Sequence, residues 1–128
     1  MWLRGSPIIA ASQAPRFGLP GLTVRGLASP NRGATEISVR RLTLEPGTPG
    51  VPHSLTREEV FVATSGRATA TVNGERHPLT KGDALLVPAG TMFSLANDAE
   101  EPFEAVVAFP VRGQAVTDEG TFTPPWAQ

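Results

Sequence analysis

The side chains best placed for chemistry in this sequence are His53 and Glu59, which are six residues apart. Glu59 opens a β-branched and aromatic segment that is typical of a strand, and His53 ends the loop before it. A histidine beside a carboxylate can act as an acid/base pair, or can supply two ligands to a divalent metal ion. In the alternative interpretation, His53 caps a strand end, and Glu58 and Glu59 are both solvated. Strand alternation lets only one of these two glutamates point inward.

A second histidine, His77, is the only other one in the chain. The dipeptide Asn73-Gly74 strongly favours a two-residue hairpin turn, and such a turn places Ala70 opposite His77. His77 therefore shares a strand face with apolar residues. Packing in a core or an interface and a role as a metal ligand both remain open for it.

The adjacent pair Arg40 and Arg41 lies within another predicted strand. The apolar positions of 37–39 and 42–44 have opposite parity, which indicates a β-bulge at the two arginines. Without a bulge, one arginine must face inward, where it can bind an anionic group of a substrate. With a bulge, both arginines are solvated. Arg40 is the candidate for substrate binding.

The elements that position these groups are predicted to be strands. Thirteen glycines and thirteen prolines are spread along the chain, a punctuation typical of all-β sandwiches and barrels. No stretch has extended helical spacing. We predict strands at 36–44, 59–64, 67–72, 75–79, 84–87, 92–96 and 103–109, with short strands near Ile8-Ile9 and at 22–25.

Two glycine-led segments carry a family resemblance. The first contains Gly47, His53, Glu59 and Gly66, and the second contains Gly82, Pro88, Gly90, Phe93 and Asn97. Their spacing resembles the two cupin motifs. The resemblance implies an all-β, antiparallel double-sheet jelly-roll barrel. It divides the chain into an N-terminal arm (1–34), the barrel (35–112) and a Pro-rich C-terminal tail (113–128).

The sequence departs from the cupin motifs at two metal-ligand positions. Leu55 stands where the family's second histidine is expected, and Phe93 stands where its last histidine is expected. Of the usual ligands His53 and Glu59 remain, whereas a catalytic metal site commonly has three protein ligands. We therefore expect no cofactor or a weakly bound divalent metal ion, with His77 as the candidate third ligand.

The resulting pocket is expected to be apolar. If Glu59 points inward, Phe61 shares its face, and Leu95 likewise shares the face of Phe93. Leu55, Phe61, Phe93 and Leu95 would then line a barrel pocket around the catalytic candidates His53 and Glu59. Apolar surroundings raise the pKa of a carboxyl group and suit it to proton transfer.

Three functions follow from such a pocket. The first is a small-molecule-binding protein, acting as an acid/base isomerase, dehydratase or cyclase. The second is a metal-dependent oxygenase or isomerase with a remodelled site, and the third is a ligand-binding module without turnover.

Composition limits the classes of binding partner and the cellular location that we expect. A chain of 128 residues with 40% hydrophobic residues is the size of one folded domain. Its net charge of −1 and its lack of Lys/Arg runs argue against nucleic acids and anionic membranes. The absence of cysteine excludes disulfides and thiolate chemistry. The apolar stretch 8–11 is too short for a signal peptide, so we expect a soluble, cytoplasmic protein.

The family resemblance also implies a homodimer, paired through the outer face of one sheet and the N-terminal arm. The tail containing Trp126 is expected to cross the partner or the barrel mouth, or to be disordered.

Overall fold

The structure is a computed structural model that describes residues 6–128. These residues form twelve strands and three short 3-10 helices. The strands are β1 (Arg16–Leu19), β2 (Leu22–Ala28), β3 (Ile37–Leu44), β4 (Ser54–Leu55), β5 (Glu59–Ser65), β6 (Arg67–Val72), β7 (Glu75–Thr80), β8 (Ala84–Val87), β9 (Phe93–Ala96), β10 (Phe103–Pro110), β11 (Ala115–Thr117) and β12 (Gly120–Phe122). The 3-10 helices span Ala11–Gln13, Pro30–Arg32 and Pro125–Ala127.

The strands pair antiparallel in three sheets. The six-stranded sheet has the order β1-β2-β3-β10-β5-β8, and two three-stranded sheets have the orders β7-β6-β9 and β12-β11-β4. This arrangement is the predicted jelly roll. None of the helices within residues 6–128 is long and apolar enough to cross a bilayer.

The core is formed by alternate residues of the strands. Along β10 every second residue from Phe103 to Phe109 is buried, while the residues between them are exposed or half-buried. This period of two is expected for a strand with one face on a core. The buried cluster comprises Val24, Leu42, Leu44, Leu55, Phe61, Ala63, Ala68, Leu79, Val87, Phe93, Phe103, Ala105, Val107, Phe109 and Ala115.

The β6–β7 hairpin confirms the register predicted from its turn. Asn73 and Gly74 have φ angles of 50° and 84°, the positive values that a type I′ turn requires at both central positions. Ala70 lies opposite His77, as the two-residue turn demands.

The bulge predicted at Arg40-Arg41 is wrong. β3 pairs with β10 in one continuous register, and Arg40 faces inward while Arg41 is exposed. The irregularity lies on β2 instead, between Gly26 and Ala28. The inward positions of β3 are Ser38, Arg40, Leu42 and Leu44. The pattern of apolar residues predicted the wrong inward positions before the arginines. Polar residues occupy two of the true inward positions, while Ile37 is 60% exposed.

The two ends of the chain add strands to the barrel. β1 and β2 extend the six-stranded sheet, and β11 pairs with β4. The strand predicted at 22–25 is present as β2, whereas the strand predicted near Ile8-Ile9 is absent, and β1 begins at Arg16 instead. The tail is folded, since β12 pairs with β11 and a 3-10 helix follows.

Candidate functional site

The centre of the candidate site is an ion pair between Arg40 and Glu59. β3 and β5 flank β10, and the cross-strand pairs place Arg40 beside Val107 and Val107 beside Phe61. Glu59 lies two residues before Phe61 on the same strand face. Arg40 Nη2 lies 3.0 Å from Glu59 Oε2, and the side chains are 12% and 3% exposed. The barrel interior therefore holds a charged pair among apolar side chains.

Burial raises the pKa of Glu59 above its usual value of 4.5, because removal from water disfavours the carboxylate. The positive charge of Arg40 and the hydrogen bond from its guanidinium oppose this rise, and His53 opposes it more weakly. Glu58, the neighbouring carboxylate, is exposed. Of these two glutamates, only Glu59 combines burial with a cationic partner, a combination common among groups that transfer protons.

The guanidinium of Arg40 keeps one donor free. Its Nε is buried and has no hydrogen-bond partner among the described residues. The Trp126 ring lies on the same group, with its centroid 5.8 Å from Arg40 Cζ, and Phe17 packs edge-on against Trp126. Gly26 lies opposite Arg40 on β2, and a side-chain carbon there would come 3.6 Å from the Trp126 carbonyl oxygen. The tail therefore packs over Arg40.

His53 is held by its backbone and by one ring nitrogen. It forms an isolated antiparallel bridge with Phe93, and the two rings lie 4.5 Å apart. Nδ1 lies 2.9 Å from the carbonyl oxygen of Val51. Because a carbonyl accepts hydrogen bonds only, Nδ1 carries the hydrogen and Nε2 is the basic nitrogen of the neutral ring. The electrostatic effect of His53 on Glu59 links the two catalytic candidates.

The expected pocket residues are packed against one another. Leu55, Phe61 and Phe93 are buried in the core cluster and Leu95 packs against it. The rings of Phe61 and Phe93 meet edge-on at 5.8 Å. Two cavities, of about 430 and 60 Å³, are lined by none of these four side chains. The four apolar side chains expected to line a pocket therefore lie inside the barrel, and in this conformation they pack against one another.

The structure does not bring His77 together with His53 and Glu59. The His77 side chain is 55% exposed on β7, and its Nε2 lies 3.7 Å from a carboxylate oxygen of Glu75. Within residues 6–128, no three His, Cys, Asp or Glu side chains are grouped so that they could hold a metal ion. Leu55 and Phe93 carry no donor atoms. The donor set in the described part of the chain does not fit a three-ligand metal site.

Asn97, the last residue of the second motif, has a structural role. It is 1% exposed, and its Nδ2 donates to the carbonyl oxygens of Leu44 and Glu101 at 2.9 and 2.8 Å. Its Oδ1 accepts from the Ala99 amide. These bonds fasten the β9–β10 loop to the end of β3.

Sequence reasoning missed the partner of Arg40. The signal was available in the alternation of Leu44 and Leu42, which continues to Arg40 and Ser38 on the same face. The contact of Trp126 with Arg40 had no local signal, since 86 positions separate the two residues.

Comparisons with known proteins agree with the fold. The family model described as "Cupin domain" matches residues 40–109. Vicilin GC72-A from Gossypium hirsutum is 34% identical over 70 residues, which are 52% of this chain and 12% of the vicilin. The chain thus spans a small part of that relative.

Two solved structures are also similar. The polyketide cyclase RemF from Streptomyces resistomycificus superposes with a TM-score of 0.72 at 16% identity, over 82% of this chain and 79% of RemF. Salicylate 1,2-dioxygenase from Pseudoaminobacter salicylatoxidans, in adducts with gentisate, gives a TM-score of 0.64 at 26% identity, over 73% of this chain and 26% of the dioxygenase. At its low identity, the likeness to RemF concerns the fold alone.

Proposed function

The chain belongs to the cupin family, and on that premise we propose that it binds a small organic molecule inside the barrel and transfers protons on it. The observation that supports this is the buried pair of Arg40 and Glu59, in which Arg40 Nε has no hydrogen-bond partner among residues 6–128. An isomerisation, dehydration or cyclisation matches this chemistry, because each can proceed through removal of a proton beside a carbonyl group.

In the proposed reaction Glu59 is the general base. Its carboxylate takes a proton from a carbon next to a carbonyl, and the electron pair of the broken C–H bond moves onto the carbonyl oxygen. The raised pKa of Glu59 brings its basicity closer to that of the group it must deprotonate. The free Nε–H of Arg40 donates to the oxyanion that forms. Glu59, now protonated, returns the proton to a different position of the substrate.

His53 is proposed as the second acid/base group. Its Nδ1 is engaged by the Val51 carbonyl, so Nε2 can accept or return a proton. The packed wall of Phe61 and Phe93 must part to admit a ligand, and Trp126 must move aside if entry occurs above Arg40. RemF acts as a cyclase and the dioxygenase structure holds gentisate; for this chain a polyketide-like or aromatic ligand is part of the proposal.

Homodimerisation is a further part of the proposal. The outer face of the six-stranded sheet exposes Ile37, Val62 and Leu86 at 60%, 40% and 56%. Apolar side chains gathered on one sheet face are typical of a subunit interface. The cytoplasmic location expected from the sequence stays a prediction.

The test is proton exchange at carbon. The wild-type protein is incubated in D₂O with a panel of aromatic and polyketide-like ketones, and deuterium incorporation is followed by NMR. We expect exchange with at least one compound, its loss in Glu59→Gln, and its retention in Glu58→Gln, the exposed neighbour. Equal exchange in wild type and Glu59→Gln contradicts the proposed role of Glu59.

The same preparation separates the two alternative functions. Saturable binding of a compound with no exchange in the wild type indicates a ligand-binding module without turnover. Elemental analysis of protein purified without a metal-affinity tag addresses the metal-dependent alternative. Near-stoichiometric metal, together with activity that is lost on chelation, would contradict the metal-free mechanism.

A further inference from the structure

A row of three arginines crosses the outer face of the six-stranded sheet, away from the barrel interior. Arg16 on β1 lies opposite Arg25 on β2, and Arg25 lies opposite Arg41 on β3. All three side chains are exposed, whereas the alternate residues Val24 and Leu42 are buried. Directly opposed residues of antiparallel strands project to the same side. The sheet therefore presents three guanidinium groups side by side.

These charges are not neutralised by direct contact with a carboxylate of the described residues. None of the three arginines forms an ion pair or a side-chain hydrogen bond with a residue in 6–128. Neighbouring strands are about 4.8 Å apart, and like charges directly opposite each other are destabilising. A ligand carrying negative charge would relieve this repulsion.

A cavity of about 430 Å³ lies beside the row, and Arg25 and Arg41 are two of its lining residues. The hydroxyl-bearing Thr23 and Thr43 lie opposite each other one step along the same sheet face and also line it. Ala11 and Ala14 of the N-terminal arm, with Leu27 and Val106, supply apolar wall. The volume is that of a small-molecule site. Cations, hydroxyl groups and apolar surface thus meet in this cavity, which is called the groove below.

We propose that this groove binds a small organic anion, with one oxyanion group on a compact apolar body. The oxyanion bridges the guanidinium groups of Arg25 and Arg41, and the apolar body lies against Ala11 and Leu27. Glu104 lines the same cavity, so a second negative group on the ligand is disfavoured. This places the site on the outer face of the six-stranded sheet, next to the proposed dimer contact at Val62 and separate from the barrel interior that holds Glu59.

Carboxylates and phosphate monoesters share this chemistry, and two probes distinguish them. The ¹⁵N-labelled full chain is titrated with benzoate and with phenyl phosphate, and inorganic phosphate serves as a probe without an apolar body. We expect saturable shifts of the backbone amides of Thr23, Arg25, Arg41 and Thr43 with benzoate or phenyl phosphate. Binding should be weaker with inorganic phosphate and should weaken with salt.

Three single variants test which charges are needed. Arg25→Gln and Arg41→Gln should each weaken binding about tenfold, because each loses a charge-assisted hydrogen bond. Arg67 is an exposed arginine on β6, in the sheet β7-β6-β9. Arg67→Gln is the control and should leave the affinity for the probes unchanged. Since all three substitutions are at exposed positions, the folded spectrum is expected to persist.

Several results would overturn the site. These are the absence of saturable shifts with either organic probe, equal weakening by Arg67→Gln, or shifts confined to residues around Glu59. Sedimentation velocity supplies a further check. If the wild type is a dimer and Arg41→Gln dissociates it, a second copy of the chain occupies the groove. That result would also overturn the proposed site.

Discussion

Arg40 on β3 and Glu59 on β5 meet across β10, with 3.0 Å between Nη2 and Oε2, and neither side chain is more than 12% exposed. Two opposite charges in an apolar interior stabilise each other by Coulomb attraction, but each has lost its hydration. The pair is therefore more readily explained by function than by stability, and it supports several measurable consequences.

The first prediction concerns the titration of Glu59. Its pKa lies above 4.5 in the folded protein, so between its unfolded and folded pKa the native state holds a proton that the unfolded state releases. The free energy of unfolding should consequently fall as pH rises through that window. Arg40→Gln should raise the pKa further, because the attraction and hydrogen bond that lower it are removed. Carboxyl ¹³C NMR measures the pKa directly.

The matched control for this titration is Arg41→Gln, at the exposed neighbouring position. This substitution should leave the pKa of Glu59 unchanged, since no interaction with Arg41 contributes to that pKa. A Glu59 pKa that falls in Arg40→Gln would show that the assigned effect of Arg40 has the wrong sign.

The second prediction concerns stability. Removing only the carboxylate, in Glu59→Leu, leaves a buried cation without a partner and should lower the free energy of unfolding by about 3 to 5 kcal/mol. The double variant Arg40→Met with Glu59→Leu should recover most of this loss, because no buried charge remains. Urea unfolding at constant pH measures both. A double variant no more stable than Glu59→Leu would indicate that packing, rather than charge, governs the position.

The third prediction concerns the metal-ligand positions. Phe93 is buried, and its ring lies 4.5 Å from that of His53. Phe93→His would add an imidazole beside His53, in the barrel interior that also holds Glu59. Two histidines with one carboxylate suit iron and other divalent metals. We expect at least about tenfold tighter binding of a divalent metal than in the wild type, measured by calorimetry. Phe122→His, on exposed β12, is the control and should not show this gain.

The fourth prediction concerns a motif glycine. Gly66 and Gly82 both have positive φ, at 71° and 94°, where a side chain costs about 1 to 2 kcal/mol. A side-chain carbon at Gly66 would also overlap the backbone carbonyl oxygen of Pro102, whereas Gly82 has open space. Gly66→Ala should therefore cost about 1 to 3 kcal/mol more than Gly82→Ala. Equal denaturant midpoints for the two variants would show that the backbone at Pro102 shifts without strain.

The sequence by itself predicted the jelly roll and most of its strands. Alternation along a strand and the turn preference of Asn73-Gly74 are local properties, so they can be read without knowing which strands become neighbours. The spacing within the two glycine-led segments, Gly47 to Gly66 and Gly82 to Asn97, identified the family for the same reason. Glu59, buried beside exposed Glu58, lies where alternation and that spacing together place it.

The questions that the sequence left open are those that depend on pairing between distant segments. The inward direction of Arg40 was hidden by the polar residues on its strand face, and the exposure of His77 depends on whether other segments cover that part of β7. Register places His77 opposite Ala70, yet Ala70 is 1% exposed and the His77 side chain is 55% exposed.

Only the tertiary structure decided which charged groups meet. The sequence contains no basic run, yet strand pairing brings Arg16, Arg25 and Arg41 into one row. Strand pairing likewise joins Arg40 to Glu59 across β10, and the folded tail adds Trp126. Local preferences determine where strands and turns form. The side chains that become neighbours are set by packing and hydrogen bonding between segments far apart in the chain.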